Sequence, residues 1–571
     1  MPTEKELTGY PSIDKPWLKF YESERKPMLQ VGLYDYLKAC NKNNLEETAM
    51  VYFNEKISFA EMFKRIESMS CVFVRNGVKP KDKVVVLALN TPDMIFAIYA
   101  LNRIGAVACI EYVTQKENSL GEITKRYKAK YAVVLDAFYS KYINVLSENG
   151  IEKVFVSKIS DAMPNIMRCL ALLKSDKRIK QGKNVVFLSK ECKNNIGLED
   201  AYCWNSNETA VILSTSGTTG IPKRAELSSD AINAHAYQVD YVDFKLTCGT
   251  SLLAIAPPFL AFGISLSIHM PLCKGVCLLL SPKPDPKSVV RDFVKYKPNF
   301  FIGAHAFMDE IMSNKKIQNM DLSFVNVIEL GGESVPKEYV EKINTFLKQH
   351  NSSGEAYVGF GMTELAACST TESKTARRIG SVGIPLCDVN VKVVDIESNK
   401  ELQYEKEGEL CFSSPCMMNE YFENKEATDT MIEIDDEGNK WLHTGDLGRI
   451  DEDGFVYVIG RIKRIYVTID QGTNAPVKLY PDYVEHILNS RNDIERCAVV
   501  VIEDPERMNV PIAFIKVVQS KKIDINELNK YFDSNTESYN KPVKYKFIDE
   551  LPILPNGKVD YRALEKETEN L

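Results

Sequence analysis

The chain predicts an α/β protein: parallel sheets covered by helices, a small β-rich part closing them, and a second α/β unit at the C-terminal end. Three observations carry that expectation. Apolar runs of strand length alternate with helical patterns through residue 380. From Val389 the texture changes to short alternating strands separated by turns. At 571 residues the chain exceeds what a single core supports.

Taken in order, Lys83-Val84-Val85-Val86-Leu87-Ala88-Leu89 reads as a strand, 93–104 as a helix and 107–110 as the next strand. Ala210-Val211-Ile212-Leu213 reads as a buried strand, with a loop over 214–223 and a helix expected directly after it. Residues 252–272 are apolar enough to be mistaken for a membrane span, but Pro257, Pro258, Gly263, His269 and Pro271 interrupt them; a strand ending at the proline pair and a buried helix fit better. Glu452-Asp453-Gly454 marks a turn before a strand over 455–459. Beyond Lys463 a helix opens at Pro481-Asp482-Tyr483-Val484-Glu485, a strand follows at Ala498-Val499-Val500-Val501-Ile502, and Asn556-Gly557 predicts a turn. With no repeat and no low-complexity linker, the boundary between the two units is expected to be a short hinge.

Composition narrows the function classes. The 71 basic and 78 acidic side chains leave a formal charge of −7, and no basic stripe interleaved with aromatics is present, so a nucleic-acid partner is not expected. The 14 cysteines include no Cys-x-x-Cys pair, and residues 1–15 lack the pattern of a signal peptide. Reduced thiols, no zinc site and a cytoplasmic location are the expectation. Residues 163–180 place Ile166, Met167, Leu170, Leu172 and Leu173 before Lys174, Lys177, Arg178 and Lys180. This is either an ordinary surface helix or a weak membrane-surface contact.

The most informative stretch is Ser214-Thr215-Ser216-Gly217-Thr218-Thr219-Gly220-Ile221-Pro222-Lys223. Glycines let successive N–H groups converge on an anion, hydroxyls add donors and Lys223 adds positive charge, so the run reads as a phosphate loop at the end of a strand. It lacks the Gly-x-x-x-x-Gly-Lys-[Ser/Thr] spacing of a Walker loop.

Together with further segments in order, this loop resembles the AMP-forming adenylating enzymes, which comprise acyl-CoA and aryl-CoA ligases, adenylation domains of nonribosomal peptide synthesis and luciferases. The segments are Val358-Gly359-Phe360-Gly361-Met362-Thr363-Glu364, then Gly408-Glu409-Leu410 with Tyr421-Phe422 and Glu426-Ala427-Thr428. Trp441-Leu442-His443-Thr444-Gly445-Asp446, Gly460-Arg461-Ile462-Lys463 and Leu551-Pro552-Ile553-Leu554-Pro555-Asn556-Gly557-Lys558 complete the set. The resemblance implies a large N-terminal domain over 1–460 with two parallel α/β sheets and a small β subdomain. A small, mobile C-terminal α+β domain over 464–571 would follow, with its hinge near Lys463.

It also implies the chemistry. A carboxylate attacks the α-phosphorus of ATP in line while pyrophosphate leaves, a reaction driven by positioning and charge neutralisation. Thr215, Ser216, Gly217, Thr218, Thr219, Gly220 and Lys223 would surround the outer phosphates. Glu364 would hold Mg²⁺ and Thr363 would reach the α-phosphate. Asp446 would accept both ribose hydroxyls, supported by Arg461. Adenine would lie against Phe360, between Gly359 and Gly332-Glu333-Ser334. Lys558 would stabilise charge at the reacting oxygens, and rotation about Lys463 would then admit a thiol. CoA is the expected acceptor.

Three departures from the family pattern stand out. Phe360 replaces a common tyrosine and Val358 a common amide; Leu260 stands where a gating histidine is frequent; and the step from Lys463 to Pro481 is roughly half a dozen residues longer than usual, around Gly472-Thr473-Asn474-Ala475-Pro476. Phe259, Leu260, Phe262, Ala304 and His305 are the expected acid-pocket residues, although His305 reads equally well as a packing residue. No acid occupies 259–267, where amino-acid-activating members hold the α-amine, so a fatty or aryl acid is expected. The alternatives are an enzyme that loads a separate acyl or peptidyl carrier protein, since only 13 residues follow Lys558, a luciferase-like oxygenase, or a catalytically silent nucleotide-binding protein.

Overall fold

The computed structural model describes residues 7–21, 24–164, 166–169, 179, 182–192, 201–215, 223–281, 285–303, 305–332, 335–518, 521–553 and 558–568. The large N-terminal domain holds two extended sheets. The first runs in spatial order Glu420–Tyr421, Arg224–Ser228, Thr209–Ser214, Val107–Ile110, Lys83–Leu87, Tyr131–Leu135, Lys153–Ser157 and Val185–Phe187. Its six strands from Thr209–Ser214 onward are parallel and read Val/Ile/Leu-rich, because helices cover both faces. The predicted strand and helix at its centre form as expected: Lys83–Leu87 is followed by Pro92–Arg103, a helix buried along its whole length with proline at its start, and then Val107–Ile110.

The second sheet has nine strands, ordered Ile384–Pro385, Thr370–Thr371, Glu355–Phe360, Val327–Leu330, Phe300–Gly303, Ser251–Ala254, Cys277–Leu280, Thr48–Tyr52 and Glu55–Ser58. The six from Glu355–Phe360 to Thr48–Tyr52 are parallel. The apolar stretch over 252–272 resolves as expected into strand Ser251–Ala254 and a buried helical segment, Phe262–His269 running into Met270–Cys273. Among the described residues no helix is long and apolar enough to cross a membrane.

One expectation is corrected. The segment after the 214–223 run is a strand, not a helix: Arg224–Ser228 pairs antiparallel with Thr209–Ser214, and the helix Ser229–Gln238 starts only afterwards, capped by Ser228, whose side chain accepts from the Ala231 N–H. The run therefore connects two neighbouring antiparallel strands, with residues 216–222 outside the described residues. The strand Arg224–Ser228 lies between Thr209–Ser214 and the short edge strand Glu420–Tyr421, antiparallel to both, and its arginine is buried against Glu111.

A five-stranded antiparallel sheet built on the long strand Lys440–Ile450 forms the small β subdomain, with Val456–Arg461 as its last strand. The short turn Ile462–Arg464 leads into the small C-terminal domain, which contains the hairpin Tyr466–Ile469 and Pro476–Leu479 and the sheet Ile494–Asp504, Met508–Val517 and Lys544–Phe547. The extra residues of the long 463–481 step make the hairpin's turn, where the Thr473 hydroxyl donates to Asp470 at 2.7 Å and Asn474 takes a φ of 56°.

Candidate active site

A deep cleft runs between the large and small domains, and the sequence-predicted residues that the structure describes converge on it. Of the phosphate loop, Ser216, Gly217, Thr218, Thr219 and Gly220 lie outside the described residues, but its two stems are clear. The Thr215 N–H donates to the Lys223 carbonyl at 2.8 Å, closing the loop at its neck. Directly below, Arg224 pairs with Glu111 at 3.2 Å, both almost fully buried, and Ser214 and Tyr127 donate to the same carboxylate at 3.2 and 2.7 Å. A buried pair with its hydrogen bonds filled in this way anchors geometry, since removing one partner would strand the other's charge.

Glu364 occupies the turn Thr363–Leu365 and is buried, yet its side chain lines the cleft. The Tyr421 hydroxyl donates to its Oε1 at 2.6 Å, and Oε2 takes no hydrogen bond from the described residues. Tyr421 in turn carries the Lys223 ammonium over its ring at 4.6 Å from the centroid. One aromatic side chain thus connects the stem of the phosphate loop to the carboxylate opposite.

Asp446 and Arg461 are cross-strand partners, and their side chains meet at 2.9 Å. Arg461 also donates to the Thr444 carbonyl at 3.0 Å, and its backbone N–H donates to Asp482 of the small domain at 2.8 Å. Asp446 is buried, and its Oδ2 has no hydrogen-bond partner among the described residues. Burial pushes its carboxyl up to about 6, against the opposing pull of the Arg461 and Lys558 charges. Lys558 therefore stands close enough to act on Asp446, and it lines the same cleft, as does Lys463. Phe360 stacks on Phe412 with ring centroids 5.9 Å apart. A Cβ at Gly359 would stand 2.6 Å from Glu329 Oε1 and 3.1 Å from the Thr370 carbonyl, so the backbone there is closely packed; Gly332 takes a φ of 83°. Glu333 and Ser334 lie outside the described residues.

A family model described as AMP-binding enzyme matches residues 37–422, and one described as AMP-binding enzyme C-terminal domain matches residues 483–558. The chain belongs to the AMP-binding enzyme family. Curated relatives include the long-chain-fatty-acid–CoA ligase of Bacillus subtilis (strain 168), 24% identical over 97% of this chain and 99% of that protein. Another is the 2-succinylbenzoate–CoA ligase of Bacillus mycoides (strain KBAB4), 28% identical over 92% of this chain and 97% of that protein. Among solved structures, ATP-bound MatB from Rhodopseudomonas palustris superposes with a TM-score of 0.79 at 21% identity, over 94% of this chain and 99% of that one. The anthranilate CoA ligase AuaEII in complex with anthranoyl-AMP does so with a TM-score of 0.81 at 19% identity, over 96% and 99%.

In this AMP-binding enzyme the expected acid-pocket residues Phe259, Leu260, Phe262 and His305 line the cleft, while Ala304 lies outside the described residues. Phe259 is buried against Tyr112, with centroids 4.8 Å apart. The His305 and Tyr339 rings lie 4.4 Å apart, tilted by 58°, and the Tyr339 hydroxyl donates to the His305 carbonyl.

Sequence reading missed two residues of the cleft. Tyr421 was legible only as part of a matching segment. Its place beside Glu364 follows from the two-residue strand Glu420–Tyr421 pairing with Arg224–Ser228. Glu329 was legible as the single charge in Val327-Ile328-Glu329-Leu330. Tyr421→Phe is expected to lower adenylation about ten- to a hundredfold and to raise the Mg²⁺ concentration needed for half-maximal rate, with Tm nearly unchanged, because Glu364 loses the donor that orients it. Pyrophosphate exchange measured against Mg²⁺ concentration checks this; an unaltered Mg²⁺ dependence would rule the positioning role out.

Proposed function

We propose that this chain activates a carboxylic acid with ATP, forming an acyl-adenylate and pyrophosphate, and then passes the acyl group to the thiol of CoA. The observation that carries the proposal is the meeting, in one cleft, of an unsatisfied buried carboxylate, a second carboxylate opposite a lysine, and Lys558 from the small domain. Asp446 Oδ2 suits a pair of ribose hydroxyls, each of which can donate to it. Phe360, Gly359 and Gly332 offer a flat, close-fitting wall for adenine.

Lys223 and the phosphate loop hold the outer phosphates. Glu364, which lines the cleft, fits Mg²⁺, an oxygen-seeking ion commonly held by one or two carboxylates plus phosphate; the ion would neutralise charge on the departing pyrophosphate. The acid's oxygen attacks the α-phosphorus near Thr363 as the bond to the bridging oxygen breaks. Lys558 stabilises the negative charge that the two oxygens share. The division into 1–460 and 464–571 with a pivot at Lys463 belongs to the same reading: Lys558 and Asp446 sit on opposite sides of that pivot, so domain rotation removes the lysine once the adenylate has formed. Relatives named as CoA ligases for fatty and aryl acids support CoA as acceptor and a non-amino acid as substrate. Ile166 and Met167 are exposed, which suits a weak membrane-surface contact and a fatty substrate; Leu170, Leu172, Leu173, Lys174, Lys177, Arg178 and Lys180 lie outside the described residues.

ATP–pyrophosphate exchange across fatty, aryl and amino acids, followed by AMP release with and without CoA, is the test. Exchange with one acid class and CoA-stimulated AMP release are expected. Exchange without CoA stimulation would point to a separate carrier protein, and ATP binding without any exchange would leave a silent nucleotide binder.

A further inference from the structure

Beside the cleft lies a second, small cavity of about 50 Å³, walled by apolar side chains that include Phe244, Met270, Phe300 and Val327. Four residues line both spaces and so form the partition between them: Leu266, Ile302, Glu329 and Cys368. Three of the four suit any hydrocarbon tail. Glu329 does not. It is only 7% exposed, its Oε1 accepts from the Thr371 hydroxyl at 2.8 Å, and its Oε2 is buried with no hydrogen bond among the described residues.

The placement follows from the strand. In Val327–Leu330, Ile328 and Leu330 face the core on one side of the sheet, whereas Val327 and Glu329 face the cavity beside their register partners Phe300 and Ile302. A plain hydrocarbon passing the partition would leave Oε2 unpaired in an apolar surround, which costs free energy that a matched polar group recovers.

We infer that the acid this chain activates carries a hydroxyl on its tail, bound by Glu329 where the cleft narrows into the inner cavity. The inference rests on the adenylation reading above. The wall is electrically neutral: burial pushes the Glu329 carboxyl up to about 8 and pulls the His235 ring in the same cavity down to about 4. The charge acting on Glu329 comes from another acid, Glu372, and raises its carboxyl further. A neutral carboxyl donates through its free oxygen, and a hydroxyl can accept that bond, whereas an ammonium cannot. Glu329 is thus a specificity determinant rather than part of the adenylation chemistry.

The test is pyrophosphate exchange on the full chain with matched sets of acids of equal length, both straight-chain and aryl. Each set comprises the unsubstituted acid and its counterparts with the hydroxyl, or an amine, at successive positions. The wild type should favour a hydroxylated member by at least about tenfold in kcat/KM over its unsubstituted partner, since a site built to bond a hydroxyl discriminates strongly against its absence. Glu329→Leu should abolish that preference while retaining exchange with the plain acid, and Glu329→Gln, which keeps a donor and an acceptor, should preserve most of it. The wild-type preference stands as a test even if the leucine variant fails to fold. Exchange indifferent to the hydroxyl, or a preference for the amine that Glu329→Gln removes, would overturn the inference and leave adenylation intact. Absence of exchange with every acid would overturn adenylation itself, and the inference with it.

Discussion

Lys558→Ala is expected to lower the rate of adenylate formation by about a hundred- to a thousandfold, with the KM for ATP changed little. Transfer of the acyl group from a supplied acyl-adenylate to CoA should stay within about tenfold of the wild type. The magnitude is that of removing one preorganised charge from a water-excluded site where negative charge develops. The split between half-reactions follows from where the lysine sits. It belongs to the small domain, yet its charge acts on Asp446 of the large domain, so it reaches the nucleotide only in this arrangement of the two. The fold should survive, because the neighbouring Val559 supplies the packing: it is buried, and bridges back to Ile553. Single-turnover measurements of each half-reaction check the expectation. Equal loss of both would mean that Lys558 serves the whole site rather than one conformation of it.

How far the sequence revealed this arrangement depended on whether a residue's role is local. Parallel strands buried on both faces announce themselves as apolar runs, and Lys83–Leu87, Val107–Ile110 and Thr209–Ser214 were all legible on that basis. Arg224–Ser228 was not, since its first residue is an arginine that only a partner 113 residues away, Glu111, makes tolerable in the interior. The same distinction divides the site. Glu364, Asp446 and Lys558 lie in segments whose order along the chain matches a family. Tyr421 and Glu329 owe their positions to strand register: one is brought to Glu364 across 57 residues, the other is turned toward a cavity by the pleat of its strand. A charge in an apolar run is ambiguous in sequence, because it can equally mark an exposed edge; only the assembled sheet shows that Glu329 faces inward.

The affinity of the nucleoside should follow the ionisation of Asp446. A ribose hydroxyl donates to a carboxylate, and protonation occupies the acceptor it needs. Burial raises the folded carboxyl from 3.8 to about 6, so the proton competes with ligand below that pH and not above it. Adenosine is the better probe than ATP, because it carries no phosphate that titrates in the same range. Its Kd should be flat above pH 6 and rise by about tenfold for each unit below, the slope of one competing proton. Asp446→Asn removes both the charge and the slope: Kd should rise about a hundredfold, the value of two hydrogen bonds to a charged group at roughly 1.5 kcal/mol or more each, and lose its dependence on pH. The asparagine should leave Arg461 in place through its bond to the Thr444 carbonyl, so the change reports on the carboxylate rather than on collapse of the strand pair. A nucleoside lacking both ribose hydroxyls should bind the two proteins alike. If the pH dependence persisted in the asparagine variant, the proton would belong to another group, and the hydroxyls would have to be held elsewhere in the cleft.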